Sequence, residues 1–432
     1  MKKLTIILLI FLISLISNGV VKADDSNIKE LQQKLDLLMK QIQEMDSAMK
    51  AQKSQIEALQ NKIKELQSKE TAQQVTQPTT TEANVTSKYK INIYGQIKLD
   101  TIYDTNDMGR DEFITYIPST ANGEDKTTFN IRDTRLGIMI EGPSLNGWTP
   151  RGRFETDFYG NDQTNARNGA LRVRLAYIDF AKGNTLIRIG QDWNKIASLN
   201  PINTDFAIMG YNGNLWERVP QLTIEQKFDN GIEALLTIYR HRWSDDDDTF
   251  GSTKLDTQLH TPWIGARIGY SGKLIDQSKK AWLAIGGAVR KGDVNDNDVV
   301  PYVGALEFNI PYSIFELRGE GYIGQGIGIE YFHSKGSFNT EGHAILTRGG
   351  FIQLSAKPIK DILLTAGYGL DDPKNADVGN SFYQSSKYLM GNIYWTVMKD
   401  ITAAFQAAHL TTDWESSKKH GTRYTTTLTY TW

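Results

Sequence analysis

Between Arg132 and Arg218 the chain carries arginines spaced so that several share one side of an alternating segment. In Trp148–Tyr159, Arg151, Arg153, Glu155 and Asp157 alternate with Gly152, Phe154, Thr156 and Phe158. In Ala170–Phe180, Arg172, Arg174 and Ala176 alternate with Leu171, Val173, Leu175 and Tyr177. Arg188 sits between Ile187 and Ile189, and Arg135, Arg267, Arg290 and Arg318 also fall on the less apolar side of their segments. A guanidinium presents its donors as a planar fork and stays charged, which suits carboxylates and phosphates. Arg132, Arg135, Arg151, Arg153, Arg172, Arg174, Arg188 and Arg218 are therefore candidate anion-attracting side chains. The competing reading is structural: lumen arginines pairing with Glu155, Asp157, Glu225, Glu316 and Glu320. Only Glu155 and Asp157 share the central face with five arginines, which favours a surplus of positive charge.

Other chemistry is poorly represented. His241, His260, His333, His343, His409 and His420 are scattered, and none lies in a G-x-S-x-G or H-E-x-x-H context, so no enzyme is expected. Cysteine is absent, which removes disulfides and thiolate metal sites. The run Asp245–Asp248 lacks the Gly and Glu of an EF-hand and reads as a solvated loop. No metal or cofactor is expected.

The elements that must position the arginines are strands. Side chains alternate faces along a strand. From Lys90–Asp104 to Thr422–Trp432 about sixteen period-2 runs follow one another, an even number. In the last run Tyr424, Leu428, Tyr430 and Trp432 share one face, while Arg423, Thr425, Thr427, Thr429 and Thr431 share the other. Lipid outside and water inside is the pattern of a transmembrane β-barrel. A charge on the lipid face costs about 2–4 kcal/mol at mid-depth, so the arginines should point into the lumen. Tight connections such as Asp229–Gly231 alternate with long polar ones such as Thr105–Lys126, Asp192–Pro220, Ser244–His260 and Asp371–Ser386. Asp192–Pro220 suits either a loop packed into the lumen or an ordinary outer loop. Arg423, near the last turn, is expected to matter little for selectivity.

Upstream, Met1–Ala23 has a basic start and a short apolar core ending in small residues, which predicts a secretory signal peptide. Its removal takes three lysines and no acid, moving the net charge from −2 to −5. That mildly acidic balance gives no global field for nucleic acid. Residues 24–70 carry a heptad pattern with Ile28, Leu35, Ile42, Met49, Ile56 and Ile63 at a and Leu31, Leu38, Met45, Gln52, Leu59 and Leu66 at d. This predicts a self-associating coiled coil, a rod roughly 65 Å long. Ile at a with Leu at d leans toward two strands, and the heptads alone do not settle stoichiometry. Residues 71–87 read as a polar linker and 88–432 as the barrel.

The ordered segments IYGQIKLDTIYD (Ile93–Asp104), NIRDTRLGIMIEG (Asn130–Gly142), GRFETDFYG (Gly152–Gly160), LRVRLAYIDF (Leu171–Phe180), IGQDWNKIASLNP (Ile189–Pro201) and LWERVPQLTIE (Leu215–Glu225) resemble the DcaP-like family of trimeric outer-membrane porins. The resemblance implies a sixteen-stranded trimer in the outer membrane, with the coil in the periplasm. It also implies an arginine-lined constriction favouring small anionic solutes such as dicarboxylates. Arg132, Arg135, Arg153, Arg172 and Arg174 match that basic wall by motif context. An envelope-tethering or adhesive protein using the coil as a rod is the alternative reading.

Overall fold

The computed structural model describes Lys40, which is helical, and residues 88–160, 169–240, 257–258, 261–295, 297–331, 336–379 and 382–432. The signal peptide, the rest of the heptad segment, the linker and Asp245–Asp248 lie outside the described residues. The chain divides into two units, 1–85 and 86–432.

The second unit is a closed antiparallel barrel. Its strands are β1 (Lys90–Asp104), β2 (Lys126–Asn130 continued by Arg135–Glu141), β3 (Thr149–Asp157), β4 (Arg172–Lys182), β5 (Thr185–Trp193) and β6 (Arg218–Lys227). Next come β7 (Ile232–Tyr239), β8 (Trp263–Gly272), β9 (Ala281–Val289), β10 (Tyr302–Tyr312) and β11 (Phe315–Gln325). The last are β12 (Leu346–Ile359), β13 (Ile362–Pro373), β14 (Ser385–Met398), β15 (Ile401–Asp413) and β16 (Lys418–Thr431). Each strand pairs with the next, and β16 returns to β1 in register from Gln96 opposite Thr431 to Asp104 opposite Arg423. The sheet has 17 segments, two of which form β2, so the barrel has sixteen staves. Closure matters because an open edge would leave backbone donors unsatisfied in lipid.

One stave differs from expectation. Its second half is legible in the sequence as an alternating run from Thr134, but the short strand Lys126–Asn130, which begins where the long polar connection Thr105–Lys126 ends, is not. The ladder breaks between the halves because Asn130 Oδ1 accepts the Arg132 N–H and Ile131 O accepts the Thr134 N–H. That turn inserts Asp133, buried, into the lumen.

The predicted faces hold. On β16, Tyr424, Leu428 and Tyr430 are exposed while Arg423, Thr425 and Thr427 are buried inside. On β8, Ile264 and Ile268 point out and Arg267 points in. Connections of two residues (183–184, 313–314, 360–361, 399–400) gather at one rim, and the longer 105–125, 194–217 and 326–345 at the other.

Two of the long loops fold inward. From 105–125, Met108, Ile114 and Ile117 pack on Tyr388, Met390, Ala408 and Leu410 of β14 and β15. The ends of 194–217 place Ile196, Ala197 and Leu215 on Tyr239, Trp263, Ala305 and Tyr322 of β7, β8, β10 and β11. Of the two readings open for Asp192–Pro220, the structure takes the packed lumen loop.

Candidate functional site

The inward loop 194–217 crosses the lumen because side chains from β1, β10, β11, β12, β14 and β15 accept from or donate to its backbone. Glu307 Oε1 on β10 accepts the N–H groups of Ser198, at 2.7 Å, and Leu199. Glu320 Oε1 on β11 accepts the Leu215 N–H at 2.7 Å. Gln353 on β12 reads both the N–H and the carbonyl of Ile202, at 2.8 and 2.9 Å. Gln406 on β15 accepts the Thr204 N–H at 3.1 Å, and Lys98 on β1 donates to the Thr204 carbonyl at 2.9 Å. A backbone carried through the middle of a barrel must have such partners, since each orphaned group costs about 1–3 kcal/mol.

Where the loop tip meets the wall, backbone lies against backbone. A Cβ on Gly213, which has φ +113°, would sit 2.1 Å from the Gly350 carbonyl oxygen. Ile208, Met209 and Tyr211 of the same tip also have positive φ. Such conformations cost of order 1–3 kcal/mol each and persist only where the surroundings impose them.

Asp205 pins the loop centre. Its carboxylate accepts the N–H groups of Ile114, at 3.1 and 3.0 Å, and Ala207, at 3.0 Å, and its Oδ2 lies 3.2 Å from Arg423 Nη1. Burial pushes its pKa up from 3.8 to about 6, against the opposing pull of the Arg423 charge. Arg423 is fully buried and also grips Asp104 with two bonds, at 2.7 and 2.6 Å. It is a central clamp of the loop, a structural role beside the separate expectation that it would matter little for selectivity.

Arg135, Arg153, Arg172 and Arg174, on β2 to β4, come together beside this loop. Arg172 holds Asp157 bidentately, at 3.0 and 2.6 Å. Arg174 bridges Glu155 at 2.8 Å and Asp157 at 2.9 Å, and is itself buried. Arg135 forks onto Asp133 Oδ1 at 3.0 and 2.7 Å. Arg153 donates to Tyr94 Oη at 2.6 Å and to Glu155 at 3.2 Å. Aromatic rings back several of them: Arg172 lies 5.3 Å from the Tyr159 centroid and 5.2 Å from that of Phe206.

The remaining candidates sit elsewhere. Arg132 bonds Glu112 at 3.0 Å and stacks on Tyr159, which places it at the long-loop mouth. Arg188 forks onto Asp179 at 2.7 Å and contacts Asp192. Arg151 is exposed near the short-turn rim and bonds Glu141 at 2.9 Å. Arg218 does not face open water: it is 1% exposed, between the rings of Trp193 (4.9 Å) and Trp216 (5.4 Å).

The acid count also changes. Asp133, Asp179, Asp192 and Glu112 join Glu155 and Asp157 as arginine partners, so the wall is internally compensated to a larger degree than two acids against five arginines. Of the other proposed partners, Glu316 pairs with Arg318 at 3.0 Å, Glu225 with Lys227 at 3.4 Å, and Glu320 holds the loop instead. Lys98, Asp205, Glu307, Gln353, Gln406 and Arg423 were not singled out as site residues. Their only sequence signal was a polar residue in a lumen slot of an alternating run, or, for Asp205, a place in the loop.

Comparison with known proteins agrees with this architecture. The model of the DcaP outer membrane protein family matches residues 15–226. The outer membrane channel DcaP of Acinetobacter baumannii superposes with a TM-score of 0.68 at 19% identity, over 80% of this chain and 97% of that one. An anion-selective porin from Comamonas acidovorans superposes at 0.56 with 13% identity, over 80% and 100% of the two chains. A trimer form of OmpT from Vibrio cholerae gives 0.50 with 10% identity, over 80% and 100%. No curated protein matches the sequence. Residues 15–226 match the DcaP outer membrane protein family, and that match, the sixteen-stranded barrel and the inward loop together make this chain a porin-like channel of the outer membrane.

Proposed function

We propose that the channel passes small solutes by diffusion and prefers anions, dicarboxylates among them. One observation carries this reading: three wall guanidiniums, those of Arg135, Arg153 and Arg172, are the water-facing members of their pairs, while Arg174 is buried behind them. Arg135 has 30% of its side chain exposed against 5% for Asp133, and Arg153 has 33% against 7% for Glu155. Arg172 keeps 15% where Asp157 keeps none. A passing solute meets the cation first, with the carboxylate behind it. Each such arginine retains donors for a second anion. The Comamonas acidovorans porin of similar fold, which is anion-selective, points the same way.

The same reading places three copies together, with residues 24–70 as a periplasmic coil. Support comes from the heptads and from the trimer form of the Vibrio cholerae neighbour. The decisive experiment is the reversal potential of single channels across a KCl gradient. Wild type should favour chloride. Arg135→Gln with Arg153→Gln should move the potential toward zero, more so in dilute salt, where screening lengths exceed about 10 Å. A cation-selective wild type would end the anion reading.

A further inference from the structure

We propose a separate anion-binding site inside the lumen, on the short-turn side of the inward loop, with Lys357 and Lys360 as its charges. It deepens the anion reading above and rests on it. A cavity of about 490 Å³ near the long-loop rim is lined by more acids than bases, including Asp104, Asp107, Asp111 and Asp125 against Arg110, Lys126 and Arg132. A second cavity, of about 450 Å³, lies beneath residues 201–203 of the inward loop and differs in character. Lys357 and Lys360 line it, together with the side chains of Tyr394, Thr396 and Thr402 and a single acid, Asp361.

Lys357 lines the cavity at the end of β12, where the ladder to β13 shifts register after Ala356. Phe351, Gln353 and Ser355 precede it on the strand, and all three are buried in the lumen. The roof is fixed, because Ile202 is held by Gln353 and by Asn392 Nδ2 at 3.1 Å. Every arginine of the wall on β2 to β5 has a carboxylate partner at 3.2 Å or less. Among the described residues, neither Lys357 nor Lys360 has an acid within the 4.0 Å ion-pair distance. These two ammonium groups are therefore uncommitted charge lining this cavity, beside three hydroxyls able to donate to an oxyanion.

A small carboxylate that has passed the arginines would meet this pair next. Two cationic stations, the arginine wall beside the loop and the lysine pair beneath residues 201–203, draw an anion through without trapping it at either one. The chemical class is a compact oxyanion with one or two carboxylates, or inorganic phosphate.

The test uses the full-length protein in planar bilayers, with chloride as the current carrier and succinate or inorganic phosphate as the competing probe. The double variant Lys357→Gln, Lys360→Gln should need roughly threefold more probe per charge removed to halve the current. That factor is the Coulomb energy of a unit charge about 6 Å away in a water-like dielectric. Lys357→Arg with Lys360→Arg should restore the block. Both lysines are exposed, so the folded, heat-modifiable band in SDS should be unchanged in either variant. If wild type is blocked and the Gln pair is blocked equally, the lysine site is wrong while the anion reading stands. Block lost in Arg135→Gln, Arg153→Gln and kept in the lysine variant has the same meaning. A wild type that is neither blocked nor anion-selective overturns both.

Discussion

Arg423 on the last strand reaches Asp205 in the inward loop, with Nη1 3.2 Å from Oδ2, while its other donors hold Asp104 on the first strand. One side chain thus ties together the two ends of the barrel and the element that narrows it. Removing one member of a buried ion network costs about 3–5 kcal/mol, because the remaining charges lose their partner. Arg423→Gln is therefore expected to free the loop centre. Single channels should show a larger and noisier conductance, and the temperature at which the SDS-resistant band is lost should fall.

Asp205 makes the same contact sensitive to pH. Its pKa in the folded state is about 6, above the ordinary 3.8. A raised carboxyl pKa means that the docked loop binds a proton more readily than the undocked one. The cost of burying the charge is absent below pH 3.8, grows between pH 3.8 and 6, and is fully present above. The difference corresponds to as much as about 3 kcal/mol, at 1.36 kcal/mol for each pH unit. Docking should accordingly tighten on acidification through pH 6. Asp205→Asn should flatten conductance against pH in this window. An unaltered profile in the variant would assign the dependence to another group.

Sequence reading reached the strands and stopped at the loop, for a physical reason. Alternation is local, so the faces of β8 and β16 could be read from ten residues each. The destination of 194–217 depends on partners far along the chain: Thr204 meets Lys98 across 106 positions and Gln406 across 202. Lys98 was legible as a lumen residue, but not as a clamp. Arg153 and Arg174 likewise look equivalent in sequence, each on the polar side of one of two neighbouring alternating runs. Only packing separates them, leaving Arg153 a third exposed and Arg174 buried between two carboxylates.

That separation is testable. Arg174→Ala should leave Glu155 and Asp157 short of a partner in a buried place and destabilise the barrel by about 3–5 kcal/mol. Arg153→Ala, at a wetter position, should cost about 0–1 kcal/mol. Urea unfolding of the two variants in detergent micelles, followed by tryptophan fluorescence, distinguishes them. Equal losses would mean that the two arginines share one structural role.

Gly213 reports on the loop tip alone. A Cβ there would stand 2.1 Å from the Gly350 carbonyl, and the φ of +113° is itself unfavourable for other residues. Gly213→Ala should lift the tip from β12 and β13 while the strand ladder persists. An increase in conductance without loss of the SDS-resistant form is the expected signature. A conductance equal to that of wild type would show that the tip does not limit flow.

The chain's first and last strands meet with Asp104 opposite Arg423, and this has a consequence for the order of assembly. Lys98 on β1, Gln353 on β12, Gln406 on β15 and Arg423 on β16 all hold the loop, which itself joins β5 to β6. Until the seam closes, those groups stand on separate edges of an open, curling sheet. The narrow passage is therefore a late product of folding, made in the same event that removes the last free strand edges, and an incomplete barrel lacks a finished filter.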